Sequence, residues 1–359
     1  MSISGYDEER VADTKRFLRR LWAGESVGRP GYQLSVPGPE LPQDGHEELL
    51  AALLAANQAH SQVEDDSVPT LWPHYAGVAV FATAFGAQAV QTEQGGGTVW
   101  ARPIVTTDQP EQAARISRPG TTDGALGKVL DFVNLAEAET QGHYTFRICD
   151  MQGPLDIAAQ LWDQTYMLPA LRSHPHVVHR LLDHITTLMI EFVRDFRAAC
   201  SHFTGMHCPH VWMPPECGVG LSEDLAPLLS PRDYAEFSLP YVQRIADDLG
   251  GVHLHCCGTC EHQFDNWASL RGLNGLNLHP PHIDFARAAQ AFGDRVVFCQ
   301  GVAFDADDGD QRDVPATLDY YLSRANSDTR FFFCLPGDGG DGRTARLVER
   351  VHGWNRVAV

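Results

Sequence analysis

Short apolar runs of four to six residues alternate with amphipathic stretches along most of this 359-residue chain. Asp7 to Ala23 predicts a helix, with Val11, Phe17, Leu18, Leu21 and Trp22 on one broad face. Gly24 ends it, and Pro30 follows. Tyr32 to Val36 reads as an extended run, closed by Pro37-Gly38-Pro39. His46 to Gln62 is rich in Ala and Leu and predicts a helix. Val68 to Trp100 is Gly-rich, and Gly95-Gly96-Gly97 marks a turn or hairpin tip. This first third lacks a clean repeat. It reads as an elaborated start, with an extension over 1–30 and inserted elements over 60–140.

From residue 143 the rhythm is regular. Tyr144 to Cys149 predicts a strand, followed by helices over Pro154 to Leu171 and Pro175 to Cys200. His210 to Met213 predicts a short strand. Ser230-Pro231 opens a helix to Leu249, as an N-cap followed by a proline at the first helical position. Strands are then expected over Val252 to Cys257, Leu273 to Leu278, Val296 to Cys299 and Phe331 to Leu335. Helices follow each: His262 to Leu270, Phe285 to Phe292, Pro315 to Ala325 and Thr344 to Trp354. Such alternation predicts a parallel sheet, and the number of units favours a closed (β/α)8 TIM barrel of the α/β class as one domain over 1–359. Active sites in that architecture lie at the C-terminal ends of the strands.

The chain carries 27 basic and 46 acidic side chains, a net charge of −19. That surface repels phosphate backbones, so nucleic acid is not expected as a partner. No apolar run is long enough to span a bilayer, and Met1 to Gly5 does not open a secretory signal. Cytoplasmic residence without membrane attachment is the expectation. The cysteines number nine. An odd number in a long chain is not a disulfide framework, and most are expected to be small buried hydrophobes.

Two residues apart on a strand, His255 and Cys257 point the same way. Cys334, at a later strand end, is placed to close a metal site with them. Imidazole and thiolate suit zinc, and three protein ligands with one open position mark a catalytic site. His279, in Asn277-Leu278-His279-Pro280, is the candidate fourth ligand. The plainer reading makes His255 and Cys257 ordinary strand residues and Cys334 a buried thiol. A third reading takes Cys257-Gly258-Thr259-Cys260 as a redox pair. Among possible catalytic acids, Asp150 and Glu216 follow expected strands, Asp224 doubles as a cap residue, and Asp305 follows Gly301. His253 shares a face with His255 but lies deeper, as a core histidine. Trp162 and Tyr166 have the four-residue spacing of helix packing. There is no P-loop, no G-x-S-x-G elbow and no H-E-x-x-H.

The string His255-Cys256-Cys257-Gly258 resembles the H-x-C-G signature of the zinc-dependent, corrinoid-linked methyltransferases within the uroporphyrinogen decarboxylase-like superfamily. The helix leading to Arg29-Pro30, the segment Leu229-Ser230-Pro231-Arg232-Asp233-Tyr234, the stretch Asp284 to Gly301 and Phe333-Cys334-Leu335-Pro336 are similar to that superfamily as well. The resemblance spans nearly the whole chain. It implies a (β/α)8 barrel, zinc on His255, Cys257 and Cys334, and methyl or alkyl transfer to a small thiol, with a methylated corrinoid carrier protein as donor. Two departures stand out. First, Gly31 to Glu40 lacks the arginines with which the decarboxylases grip carboxylates, and Cys334 stands near the place of their C-terminal histidine. Second, His279 stands near a position where the zinc methyltransferases often carry an acidic residue. The rival expectations are a metal-free decarboxylase or lyase on the same barrel, and a non-catalytic corrinoid- or tetrapyrrole-binding module.

Overall fold

The computed structural model describes residues 7–42, 44–91, 99–279, 282–302, 314–337 and 342–354. Asp305 and Gly95-Gly96-Gly97 lie outside them. The strands are β1 (Gly31–Leu34), β2 (Thr70–Leu71), β3 (Gln88–Gln91), β4 (Val99–Arg102), β5 (Thr145–Arg147), β6 (Phe203–Thr204), β7 (Val219–Ser222), β8 (Val252–Cys256), β9 (Leu273–Leu278), β10 (Val297–Gly301) and β11 (Arg330–Leu335). β3 and β4 form an antiparallel hairpin outside the main sheet. All other pairs are parallel, in the orders β1-β11-β10-β9-β8-β7 and β2-β5-β6.

Hydrogen bonds join these two sheets at both edges. Asp66 N donates to Tyr32 O across β1 and the approach to β2, at 2.9 Å. On the other side Gly220 N donates to Gly205 O at 2.8 Å, Ser222 N to Met151 O at 2.9 Å, and Gly153 N to Ser222 O at 2.7 Å. The extension of β5 thus reaches β7 directly, and β6 is a short wedge between their first residues. Without the wedge the ring has the eight positions of a TIM barrel. Strands buried on both faces need continuous apolar runs. β8 and β11 are accordingly buried along their whole length.

Several elements differ from expectation for identifiable reasons. His210 to Met213 is not a strand. Prolines 209, 214 and 215 bracket it, and Met213 spends its backbone N–H and C=O on the Thr204 hydroxyl, both at 2.9 Å. β6 and β7 flank it instead. The helix expected over Pro154 to Leu171 splits into Pro154–Leu161 and Gln164–Ser173, because Asp163 caps the second through Thr165 N. The helix from Ser230 to Leu249 splits at Ser238, two residues before Pro240, into Pro231–Phe237 and Leu239–Leu249. No helix among the described residues is long and apolar enough to cross a membrane.

The break at Ser238 has a use. Ser238 Oγ and Tyr234 OH both donate to Glu223 Oε2 at 2.8 Å, directly after β7. Asp156 accepts from Leu225 N at 2.8 Å and lies beside the same carboxyl. A Cβ on Gly153 would stand 2.0 Å from Glu223 Oε1, so the turn must be glycine to admit the acid. Burial of this pair raises both pKa values, that of Glu223 to about 7. Folding therefore retains a proton that the unfolded chain releases near 4.5. The contribution is full below that value and is lost as pH rises through about 7. Glu223→Gln keeps both hydrogen bonds through its amide oxygen. Thermal melts of the variant are expected to fall less between about pH 5 and about pH 8 than those of the parent. Parallel curves would remove this assignment.

Candidate metal centre and cavity

β8 pairs with β9 so that His255 stands opposite Asn277. His255 Nδ1 lies 2.5 Å from Asn277 Oδ1, and Asn277 Nδ2 donates to Cys299 O of β10 at 2.5 Å. An amide oxygen only accepts, so the Nδ1 proton is fixed on that side and Nε2 faces the opposite way. Nε2 is 2.9 Å from Cys257 Sγ. The His279 ring stands edge-on to His255, with centroids 5.3 Å apart. One ligand atom from each of His255, Cys257 and His279 lies within 4.8 Å of the others. His255 is buried, Cys257 exposed and His279 between the two, so the group opens toward solvent on one side. Burial opposes charge on His255, but the Cys208 and Cys257 thiols beside it outweigh this and push its pKa up.

Cys334 does not join this group; among the described residues no three-ligand cluster includes it. The Cys334 sulfur instead accepts from Gln33 Nε2 at 3.4 Å, and burial pushes its pKa up to about 12. Within 4.8 Å of His255 and Cys257 the third candidate group is His279, where the sequence reading expected Cys334. Cys208, outside the expected ligand set, acts electrostatically on both His255 and Cys334.

The redox reading of Cys257 and Cys260 does not match the arrangement. Cys260 is buried against Cys256, while Cys257 is exposed. His253 is a core residue, fully buried and edge-on to Trp22. Asp224 Oδ1 accepts from Cys257 N at 3.4 Å, which places it at the mouth as a brace for the loop. Asp150 is half-buried and accepts from Gln152 Nε2 at 2.7 Å. Glu216 was expected at the mouth after a strand that does not form. It precedes β7, at the opposite end of the barrel, and is ion-paired on the surface with Arg19.

A separate cavity of about 390 Å³ has none of the three cluster residues in its lining. It is lined by Gln33, Thr70, Arg147, His210 and Cys334 among others. Gln33, Arg147 and Cys334 lie in the last two residues of β1, β5 and β11, and Arg10, Ala56 and Asn57 come from the first two helices, so the cavity lies between those strand ends and the N-terminal helices.

A sequence model of the family described as Uroporphyrinogen decarboxylase (URO-D) matches residues 71–207 and 216–302. This is a barrel protein with its side chains converging at the strand C-termini. The chain belongs to the uroporphyrinogen decarboxylase family. No curated protein matches it. Among solved structures it is similar to a methyltransferase from Methanosarcina mazei, at 15% identity and a TM-score of 0.66, over 94% of this chain and 98% of that one. It also aligns with a B12-independent methionine synthase from Shewanella sp. W3-18-1, at 14% identity and a TM-score of 0.49, over 90% and 96% of the two chains. These likenesses concern the fold.

Of the nine cysteines, Cys257 is the exposed one; Cys149, Cys256, Cys260, Cys299 and Cys334 are buried. Limiting iodoacetamide, mapped by mass spectrometry, is expected to modify Cys257 first. Equal labelling of Cys334 at the same dose would contradict this geometry.

Proposed function

We propose that this protein is a zinc-dependent methyl or alkyl transferase that activates a small thiol. The observation that carries the reading is the convergence of one thiol and two imidazoles at the barrel mouth. These donors suit zinc, and a cluster open on one side leaves room for a further ligand. The hydrogen bond from His255 Nδ1 to Asn277 orients the ring in the manner of a residue supporting a metal ligand. The similar fold of a protein named as a methyltransferase supports the same class of reaction.

In this reading His255, Cys257 and His279 hold the ion. Bound there, zinc keeps a substrate thiol in its nucleophilic thiolate form near neutral pH, where a free thiol of pKa about 8.5 is mostly protonated. Asn277 fixes the imidazole, and Asp224 braces the Cys257 backbone. The alkyl donor is a methylated corrinoid on a carrier protein. A metal-free decarboxylase is the second reading, favoured by the buried Arg147 in the cavity, since such an enzyme needs a cation for its substrate's carboxylate.

Metal analysis of the purified protein tests the proposal. About one zinc per chain is expected in the parent, lost in Cys257→Ala and His279→Ala and kept in Cys334→Ala. No zinc in the parent, or equal zinc in every variant, removes the proposal. Loss in Cys334→Ala with retention in His279→Ala would move the third ligand to Cys334. Asn277→Ala is expected to weaken zinc affinity about 10- to 100-fold in a competition titration with a chelator. Methyl transfer from methylcobalamin to a panel of small thiols then checks the reaction; zinc-loaded protein that turns over none of them favours the decarboxylase.

A further inference from the structure

Arg147 ends β5 inside an otherwise apolar stretch, Tyr144 to Cys149. It is 7% exposed and lines the cavity. No carboxylate pairs with it among the described residues, and its Nε is buried without a hydrogen-bond partner. Its guanidinium lies over the Trp72 ring, 4.4 Å from the centroid. The other groups acting on it or feeling its charge are His74, His207, His210 and the Cys208 thiol. Burial, with the charge of Arg147 itself, holds His74, His207 and His210 below the ordinary imidazole value, so they stay neutral and offer the guanidinium no counter-charge.

A buried, unpaired guanidinium is costly. Burial depresses the Arg147 pKa to about 9, the direction expected of a cation without a counter-ion. Such a cost is retained where a ligand supplies the missing partner. The planar fork of arginine matches a carboxylate or similar oxyanion in bidentate fashion. The stacked Trp72 holds that plane, and the cavity admits a small molecule.

We propose that Arg147 is an oxyanion-binding subsite of the cavity, and that it receives the acidic end of the small substrate. His207 links Arg147 to the cluster: it feels the charge of both Arg147 and His255, and its Nε2 lies 3.1 Å from Oγ of Ser222, which stands opposite His255 in the β7–β8 register. A molecule anchored at Arg147 by its carboxylate can extend its other end past His207 toward the His255–Cys257–His279 cluster. That this other end is a thiol rests on the function proposed above; the anchoring of the carboxylate does not.

The test uses 3-mercaptopropionate, its thiol-free analogue propionate and the neutral thiol 2-mercaptoethanol, titrated calorimetrically into metal-free and zinc-loaded protein. Propionate is expected to bind the metal-free protein and to raise its melting temperature. In zinc-loaded protein 3-mercaptopropionate should bind about ten-fold or more tightly than 2-mercaptoethanol. Arg147→Met should abolish propionate binding and the preference between the thiols. It should melt no lower than the parent, because it removes an unpaired buried charge at similar volume. Arg147→Lys should restore part of the preference. Propionate binding unchanged in Arg147→Met, or no propionate binding by a folded parent, overturns the subsite. Propionate binding that depends on Arg147, together with no thiol preference on zinc loading, leaves the subsite standing and removes the thiol reading.

Discussion

The side chain of Asn277 is the constraint on which the site depends. Parallel pairing of β8 with β9 sets it beside His255, and its two polar atoms face opposite strands. The oxygen takes the Nδ1 proton of His255 on β8; the amide nitrogen reaches the Cys299 carbonyl on β10. One carboxamide thus ties three adjacent strands at the level of the cluster. Neither end reverses without cost, because a buried carbonyl and a buried imidazole proton would each lose their partner. The direction in which His255 presents Nε2 follows from the sheet register and not from the histidine's own rotamer preferences.

Beneath the neighbouring loop the fold tolerates a different buried polar cost. Glu223 and Asp156 lie where the backbone must leave β7 and turn toward the mouth. Their hydrogen bonds fix the segment that carries Asp224, and Asp224 in turn holds the Cys257 backbone. Glu223 N also donates to His255 O at 2.8 Å. The exposed thiol is therefore positioned from below by a buried acid pair and from the side by β9. A cluster assembled on rigid strand ends with braced loops is better preorganised than one carried on free loops.

The barrel was legible after residue 143 because strands buried on both faces leave runs such as Phe331-Phe332-Phe333-Cys334-Leu335. The pairing of His255 with Cys257 followed from period two alone. Period two does not say which further strand supplies a third group; in the structure the group within 4.8 Å is His279, directly after the adjacent β9. The wedge of β6 was hidden for another reason. His210 to Met213 has strand-like hydrophobicity, but its hydrogen bonds go to the Thr204 hydroxyl, and no pattern of apolar positions reports that. Glu216 was misplaced by the same error, since it was located relative to the strand that does not form. Cys208 lies in that segment too. Arg147 carried a signal that was overlooked: a charged residue within a run otherwise fit for a barrel wall requires a partner, and none was named.

The distribution of charge gives that arginine its weight. A net charge of −19 surrounds a site in which no carboxylate pairs with Arg147 among the described residues, and in which burial keeps the neighbouring His207 and His210 below the ordinary imidazole value. Surface acids act through water and are screened over about 8 Å at physiological ionic strength. A guanidinium enclosed by protein is screened far less, and its attraction for an anion grows as the local dielectric falls. The acidic exterior therefore disfavours distant encounter with anions without cancelling their capture once inside. Selectivity for a small acid over a large polyanion follows from the same geometry. Only a compact molecule can leave the negative exterior behind and bring its charge to Arg147, buried without a carboxylate partner among the described residues.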